Sequence, residues 1–134
     1  MLLSARMLDN VSNVNSFDTV DQVKFTQGDA LDVSFQLIDL NKGTSNKPVG
    51  ERYMPAALST LNVVVSTINT ATTLTKVATQ PFANDTSIWK IQILATDNIA
   101  GTFTMKLALT QGGVVTNGVV KAALSIVPQT AAYC

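Results

Sequence analysis

Apolar and polar residues alternate along several segments of this chain, and this two-residue period is typical of β-strands with one buried face. The clearest segment is residues 31–37, where the odd positions are apolar and the even positions are polar. Similar stretches predict further strands over residues 22–26, 61–66, 72–78, 87–95, 102–110 and 119–127. The only tryptophan, Trp89, falls on the apolar side of its stretch. We therefore expect Trp89 to lie in the core.

Turn residues separate these stretches and indicate how the strands connect. Gln111–Gly112–Gly113 follows the strand at residues 102–110, and glycine accepts the positive φ that hairpin turns need. A second bend is predicted at Thr116–Gly118, so this hairpin would carry a short extra arm. Short strands with turns between them are typical of all-β domains. The prediction is an immunoglobulin-like antiparallel β-sandwich of about seven strands.

The patterning divides the chain into three regions. Residues 1–20 lack sustained periodicity and are predicted to be an N-terminal arm that becomes ordered against a neighbouring subunit. Residues 21–128 hold the alternating stretches of the β-sandwich domain, and residues 129–134 form a C-terminal tail. Residues 41–55 are rich in Asn, Gly and Pro and are predicted to be a long polar loop. If the arm is separate, its deletion should leave the domain folded.

The composition supports a β-rich domain and excludes several kinds of chemistry. Val, Ile and Thr supply 39 of the 134 residues, and residues branched at Cβ favour strands. Nine basic residues balance nine acidic ones, so the electrostatic footprint of a nucleic-acid or anionic-membrane binder is missing. Arg6 interrupts an apolar N-terminal stretch that is too short to span a bilayer. The chain contains no histidine, which excludes Ser-His-Asp and Cys-His catalysis and histidine-ligated metal sites.

The carboxylates do not form a recognisable catalytic or metal-binding pattern. Asp32 lies on the polar face of its predicted strand, and Asp29 lies in a turn, where aspartate bonds nearby backbone N–H groups. Glu51 has no second carboxylate nearby in sequence to complete a hydrolytic pair. Phosphate-binding glycine motifs and nucleophile elbows are also missing from the sequence. The sequence therefore predicts no catalytic, cofactor or metal site, no enzymatic activity and no small-molecule substrate.

The candidate functional residues that remain are contact residues. Only 13% of the residues are charged, about half the average for soluble domains, so little repulsion keeps copies of the chain apart. Arg52-Tyr53-Met54 in the long loop offers a guanidinium and an aromatic ring, which are enriched at interface hot spots. The loop and the arm are predicted to bind neighbouring subunits. The apolar arm residues expected at such contacts are Leu2, Leu3, Met7 and Leu8.

Five segments of the chain carry a resemblance to a known group of proteins. They are Phe25–Asp29, Arg52–Ala57, Leu61–Val63, Ala78–Trp89 and Ala95–Thr102. Together they resemble a family of small virion structural proteins encoded by tailed bacteriophages. The likeness covers roughly residues 22–127, and the Gln27–Gly28–Asp29 strand entry is also similar to that of N-terminal domains in some phage baseplate proteins.

The resemblance implies a structural role in a virion that is assembled in the cytoplasm of the host bacterium. Its partners would be other virion proteins and further copies of this chain. The baseplate-like strand entry favours a place in the tail, baseplate, neck or fibre attachment, and capsid decoration (a cement protein) is the alternative. A carbohydrate-binding module for host-surface glycans is a third interpretation, but it needs exposed aromatic rings. Only Tyr53 and Tyr133 are expected to be exposed.

Overall fold

A computed structural model of the chain describes residues 2–13, 16–27, 30–40, 51–55, 58–67, 73–82, 85–94, 97 and 100–127. The regular structure within these residues consists of ten β-strands, which confirms the predicted all-β class. The strands are β1 (Leu3–Asn13), β2 (Ser16–Val20), β3 (Val23–Thr26), β4 (Leu31–Asp39), β5 (Glu51–Arg52), β6 (Thr60–Thr67), β7 (Thr73–Val77), β8 (Ile88–Ile93), β9 (Gly101–Gln111) and β10 (Val114–Val127).

Hydrogen bonding links these strands into one sheet that is nearly closed, like a barrel. Its main path runs β5–β4–β1–β10–β9–β6–β7. β8 pairs with the edge of β4 opposite β1, and a bridge between Thr79 and Lys90 joins β8 to the segment after β7. The described strands therefore do not separate into the two stacked sheets that the predicted immunoglobulin-like sandwich requires.

The sheet is mixed, so the prediction of a purely antiparallel fold is wrong. β10 pairs in parallel with β1 at Leu3–Gly118 and with β3 over Val23–Thr26. Further along, β1 pairs with β2 and no longer with β10. β2 and β3 thus lie between β1 and β10 where these two strands diverge. β2 pairs with the edge of β1 and β3 pairs with the edge of β10, and both edges would otherwise lack a partner.

The apolar faces predicted from alternation fill the interior of the barrel. Trp89 is buried among them, as predicted. The inward residues of β4, β6, β8 and β9 are Leu31, Val33, Phe35, Leu37, Leu61, Val63, Val65, Trp89, Ile91, Ile93, Phe103, Met105, Leu107 and Leu109. Upstream, Val23 is buried and Phe25 packs against the same core. Burying this apolar surface is the main force that holds the barrel together.

The N-terminal segment is part of the barrel, which corrects the prediction of a separate arm at residues 1–20. β1 pairs with β4 from Leu3 to Leu8 and contributes Leu3, Ala5 and Met7 to the core. Arg6 does not interrupt this strand, because it occupies an outward position between two inward ones. The domain therefore begins near residue 3 rather than at residue 21.

The β9–β10 hairpin has the predicted turn but not the predicted second bend. Gly112 and Gly113 both adopt positive φ, and β10 then runs without a break through Thr116–Gly118. Glycine is needed at position 118 for a different reason, since a Cβ there would lie 2.4 Å from the carbonyl oxygen of Leu3. The close approach of β1 explains this glycine better than a turn does.

Candidate interaction surface

One end of the barrel carries a group of exposed apolar side chains, which we call the apolar rim. Its members are Leu2, Leu40, Met54, Leu58, Val114 and Val115. β4 and β9 finish at this end, and β1 and β10 begin there. Leu3, at the start of β1, pairs with Asp39 at the end of β4 on one side and with Gly118 of β10 on the other.

Backbone pairing places several of the rim residues near the same end. The N–H of Leu40 donates to the carbonyl of Leu2 over 2.9 Å, which holds the start of β1 beside the end of β4. Thr110 pairs with Val115 on one side and with Thr60, at the start of β6, on the other. The rim is therefore built on paired strand ends, and rigid elements position its side chains.

Tyr53 fixes the position of Met54. The backbone N–H of Tyr53 donates to the carbonyl of Leu37 over 2.8 Å, and Gln111 Nε2 donates to the Tyr53 hydroxyl over 2.9 Å. The ring is half-buried and packs against the core. Tyr53 thus ties the segment after β5 to the end of β9, and the next side chain, Met54, extends into solvent.

Leu58 is the most unusual member of the rim. Its side chain is 100% exposed, and its backbone has a φ of 64°. Residues other than glycine, asparagine and aspartate rarely adopt this left-handed conformation, and large apolar side chains gain nothing from full exposure. Backbone strain and an exposed apolar group at one residue are typical of a functional contact.

Arg52 makes an ion pair beside the rim. Its guanidinium contacts the Asp85 carboxylate over 3.2 Å, and the two side chains are 57% and 4% exposed. Asp85 also accepts from the backbone N–H and the hydroxyl of Ser87, and Gln36 Nε2 donates to that hydroxyl over 3.2 Å. The network fixes β5 against the segment that leads into β8.

The structure separates the predicted contact residues into two groups. Leu3, Met7 and Leu8 are buried inside this chain, so their side chains are not available to a neighbour. Leu2 and Met54 are exposed on the rim, and Arg52 and Tyr53 lie next to it. The rest of the predicted loop, residues 41–50, lies outside the described residues, as does the tail at 129–134.

Sequence reasoning missed four rim residues: Leu40, Leu58, Val114 and Val115. The valines lie at the tip of the β9–β10 hairpin, where a β-branched residue predicts a strand but not whether the strand is covered. Leu58 follows a proline-containing stretch, and neither its exposure nor its φ has a signal in the sequence. A run of exposed apolar residues at one end becomes visible only when the strand ends are brought together.

The described residues hold no group of three or more side chains suited to a metal ion. They also contain no helix that is long and apolar enough to cross a membrane. Comparison with protein-family models, curated proteins and solved structures finds no match to this chain. The interpretation of the rim therefore depends on its own geometry.

Proposed function

We propose that this chain is a non-enzymatic structural subunit of a tailed-phage virion, and that the apolar rim is the surface by which it docks into a symmetric assembly. The tail, baseplate, neck or fibre attachment is the favoured place. Its partners there are other virion proteins and copies of the chain itself. A two-layer immunoglobulin-like arrangement, which the sequence favoured, is not needed for this role, because a rigid barrel presents the rim equally well.

The observation that carries this proposal is the fully exposed Leu58 with its φ of 64°, together with other exposed apolar side chains near the strand ends of the barrel. Exposed apolar side chains that are gathered at one end of a small domain are typical of a contact site. Burying a leucine, valine or methionine side chain contributes about 1.5–3 kcal/mol, so each rim residue that a partner covers adds to the free energy of docking. The low density of charge and the resemblance to phage structural proteins support the same role.

The proposal predicts that Leu58→Asn blocks assembly without unfolding the chain. Asparagine tolerates positive φ better than leucine does, so the free energy of unfolding should stay within about 0.5 kcal/mol or rise. Loss of the apolar contact should reduce incorporation into particles by about tenfold or more. The measurement is the number of copies per purified particle, determined by quantitative mass spectrometry after complementation of a phage that lacks the wild-type gene.

Val127→Thr is the matched control, because Val127 is an exposed apolar residue at the opposite end of β10. It should be incorporated normally. Equal incorporation of Leu58→Asn and wild-type chains would refute docking by the rim, and absence of the wild-type chain from particles would refute the virion role itself. The copy number also separates the two placements, since decoration of a capsid needs many more copies than a baseplate or neck.

A glycan-binding role has less support from the described residues. Modules that bind carbohydrate expose flat aromatic side chains, whereas Trp89 is buried and the Tyr53 hydroxyl is engaged by Gln111. Tyr133 lies outside the described residues. Saturable binding on a glycan array would nevertheless favour that role over a purely structural one.

A further inference from the structure

The outer wall of the barrel carries a cavity with one apolar side. Its volume is about 250 Å³, and residues of β1, β3, β4, β8 and the segment after the Thr79–Lys90 bridge line it. Both of its phenylalanines are half-buried, so each keeps some ring surface that a partner can cover. The apolar lining consists of Leu8, Phe25, Pro81 and Phe82.

The other side of this cavity is polar and carries charges of both signs. Ser34 and Lys90 pair across β4 and β8 and alternate with residues of the core, which places the cavity outside the barrel. Asp32, the preceding outward residue of β4, is exposed and also lines the cavity. A charged occupant would be attracted by one of these groups and repelled by the other. An uncharged apolar side chain that enters along the phenylalanines fits best, because it leaves the Asp32 carboxylate in water.

The size of the cavity suits a leucine. An apolar cavity of about 150 Å³ accommodates a benzene molecule, and a leucine side chain is smaller than benzene. At about 250 Å³, the cavity therefore has room for a leucine side chain and for part of the backbone that carries it.

The rim of the same chain presents such a side chain. Leu58 is fully exposed, and its positive φ is a conformation that leucine rarely adopts. Ser59 and Thr60, which follow Leu58 in the sequence, carry no charge. Leu58 can therefore enter a cavity of mixed charge without bringing an ionised neighbour from β6.

Leu58 and the cavity lie too far apart to meet within one chain. Thr60 pairs with Thr110 near the end of β9, which places Leu58 at the rim. The cavity lies beside Ser34, whereas the rim residue Leu40 comes after the end of β4. Strands rise about 3.4 Å per residue, so the six residues from Ser34 to Leu40 separate the two levels by about 20 Å. Only the Leu58 of another chain can reach the cavity.

We propose that Leu58 of one copy inserts into the cavity of a second copy and packs against Phe25 and Phe82. This inference rests on the proposed docking by the rim, and it names the partner as a further copy of the chain. The contact joins two different surfaces, so it is heterologous. Repeating it builds a ring where the rotation between copies closes and a filament where it does not.

Two complementary variants of the purified full-length chain test this contact by analytical ultracentrifugation. Leu58→Asn removes the inserted side chain, and Ser34→Phe fills the cavity from its polar side. Each variant alone should show a dissociation constant of self-association raised about tenfold or more. An equimolar mixture should form a one-to-one dimer, because the intact Leu58 of the Ser34→Phe chain enters the intact cavity of the Leu58→Asn chain.

Thr75→Phe is the matched control, because Thr75 is exposed on β7 and belongs neither to the cavity nor to the rim. It should associate like the wild type, which shows that an added ring elsewhere on the wall is harmless. Circular dichroism and thermal unfolding confirm that each variant is folded. Asp32→Phe, at an exposed position of the same cavity, replaces Ser34→Phe if that variant unfolds.

Three results would overturn the insertion of Leu58 into the cavity. They are a wild-type chain that stays monomeric, a Ser34→Phe chain that associates like the wild type, and a mixture of the two variants that forms no dimer. The second result would point instead to a two-fold contact between rims. If Leu58→Asn is nevertheless lost from particles, the proposed docking by the rim stands with a different partner surface.

Discussion

At the scale of single residues, Arg52 is a predicted contact residue that also has a structural task, because it compensates the charge of Asp85. Its carboxylate is only 4% exposed, and an ionised group in that position is costly unless hydrogen bonds and an opposite charge compensate it. Ser87 supplies the hydrogen bonds and Arg52 supplies the charge. The sequence predicts that Arg52 is an interface hot spot, yet its guanidinium is already engaged within its own chain.

Arg52→Ala should therefore destabilise the fold. Removing the guanidinium leaves the buried Asp85 carboxylate short of one partner, and we expect the free energy of unfolding to fall by about 1–3 kcal/mol. Arg52→Lys keeps the charge and should lose less. Urea denaturation monitored by Trp89 fluorescence measures both changes.

Lys121→Ala is the control for this comparison, because Lys121 is exposed and has no ion pair within the described residues. Its effect should be within about 0.5 kcal/mol. If Arg52→Ala were as harmless as Lys121→Ala, the Asp85 network would contribute little to stability. Arg52 would then again be available as a candidate for intermolecular contact alone.

At the scale of secondary-structure elements, β1 changes the meaning of the N-terminal segment. A separate arm could be removed without loss of the fold, but β1 pairs with β4 and supplies Leu3, Ala5 and Met7 to the core. Deleting residues 1–20 should therefore prevent folding. Far-UV circular dichroism and proteolysis of the truncated chain test this expectation, and a protease-resistant, cooperatively unfolding fragment would contradict it.

The inward faces of several strands could be predicted from the sequence, because each depends only on local alternation. β4, β8 and β9 contain apolar residues with a two-residue period, and every residue predicted to face inward on them is buried. β1 has the same alternation over Leu3, Ala5 and Met7, although residues 1–20 as a whole lack sustained periodicity. Arg6 is compatible with a half-buried strand because the outward positions face solvent.

The pairing of the strands could not be predicted in this way. The parallel contact of β1 with β10 joins residues 3 and 118, and no local pattern specifies which edges meet over such a distance. Gly118 illustrates the consequence, because the local sequence predicts a bend there, whereas the structure requires glycine because Leu3 approaches closely. The rim depends on the same long-range pairing, so it could not be found before the strands were placed.

At the scale of the whole molecule, backbone pairing is sparse where β7 meets β8. Within the described residues, the Thr79–Lys90 bridge is the one backbone pairing between β8 and the segment that follows β7, and Lys76 and Asp97 form an ion pair nearby. Hydrogen bonds from the Lys76 side chain and from the N–H of Leu94 lower the pKa of Asp97 in the folded chain. Closure of the barrel is thereby linked to the ionisation of one carboxylate.

This linkage predicts that Asp97 stabilises the barrel near neutral pH and stops doing so in acid. A carboxyl group whose pKa is lower in the folded chain than its ordinary value of 3.8 favours folding above that value, and the contribution disappears as the pH falls through the folded pKa. Asp97→Asn should therefore be less stable than wild type at neutral pH, and the two unfolding free energies should converge in acid.

Lys76→Met should show the same convergence, and combining it with Asp97→Asn should add little, because both changes remove one interaction. Denaturant titrations across the acid range measure these differences, and a gap between wild type and Asp97→Asn that did not change with pH would show that the carboxylate acts by some route other than its charge.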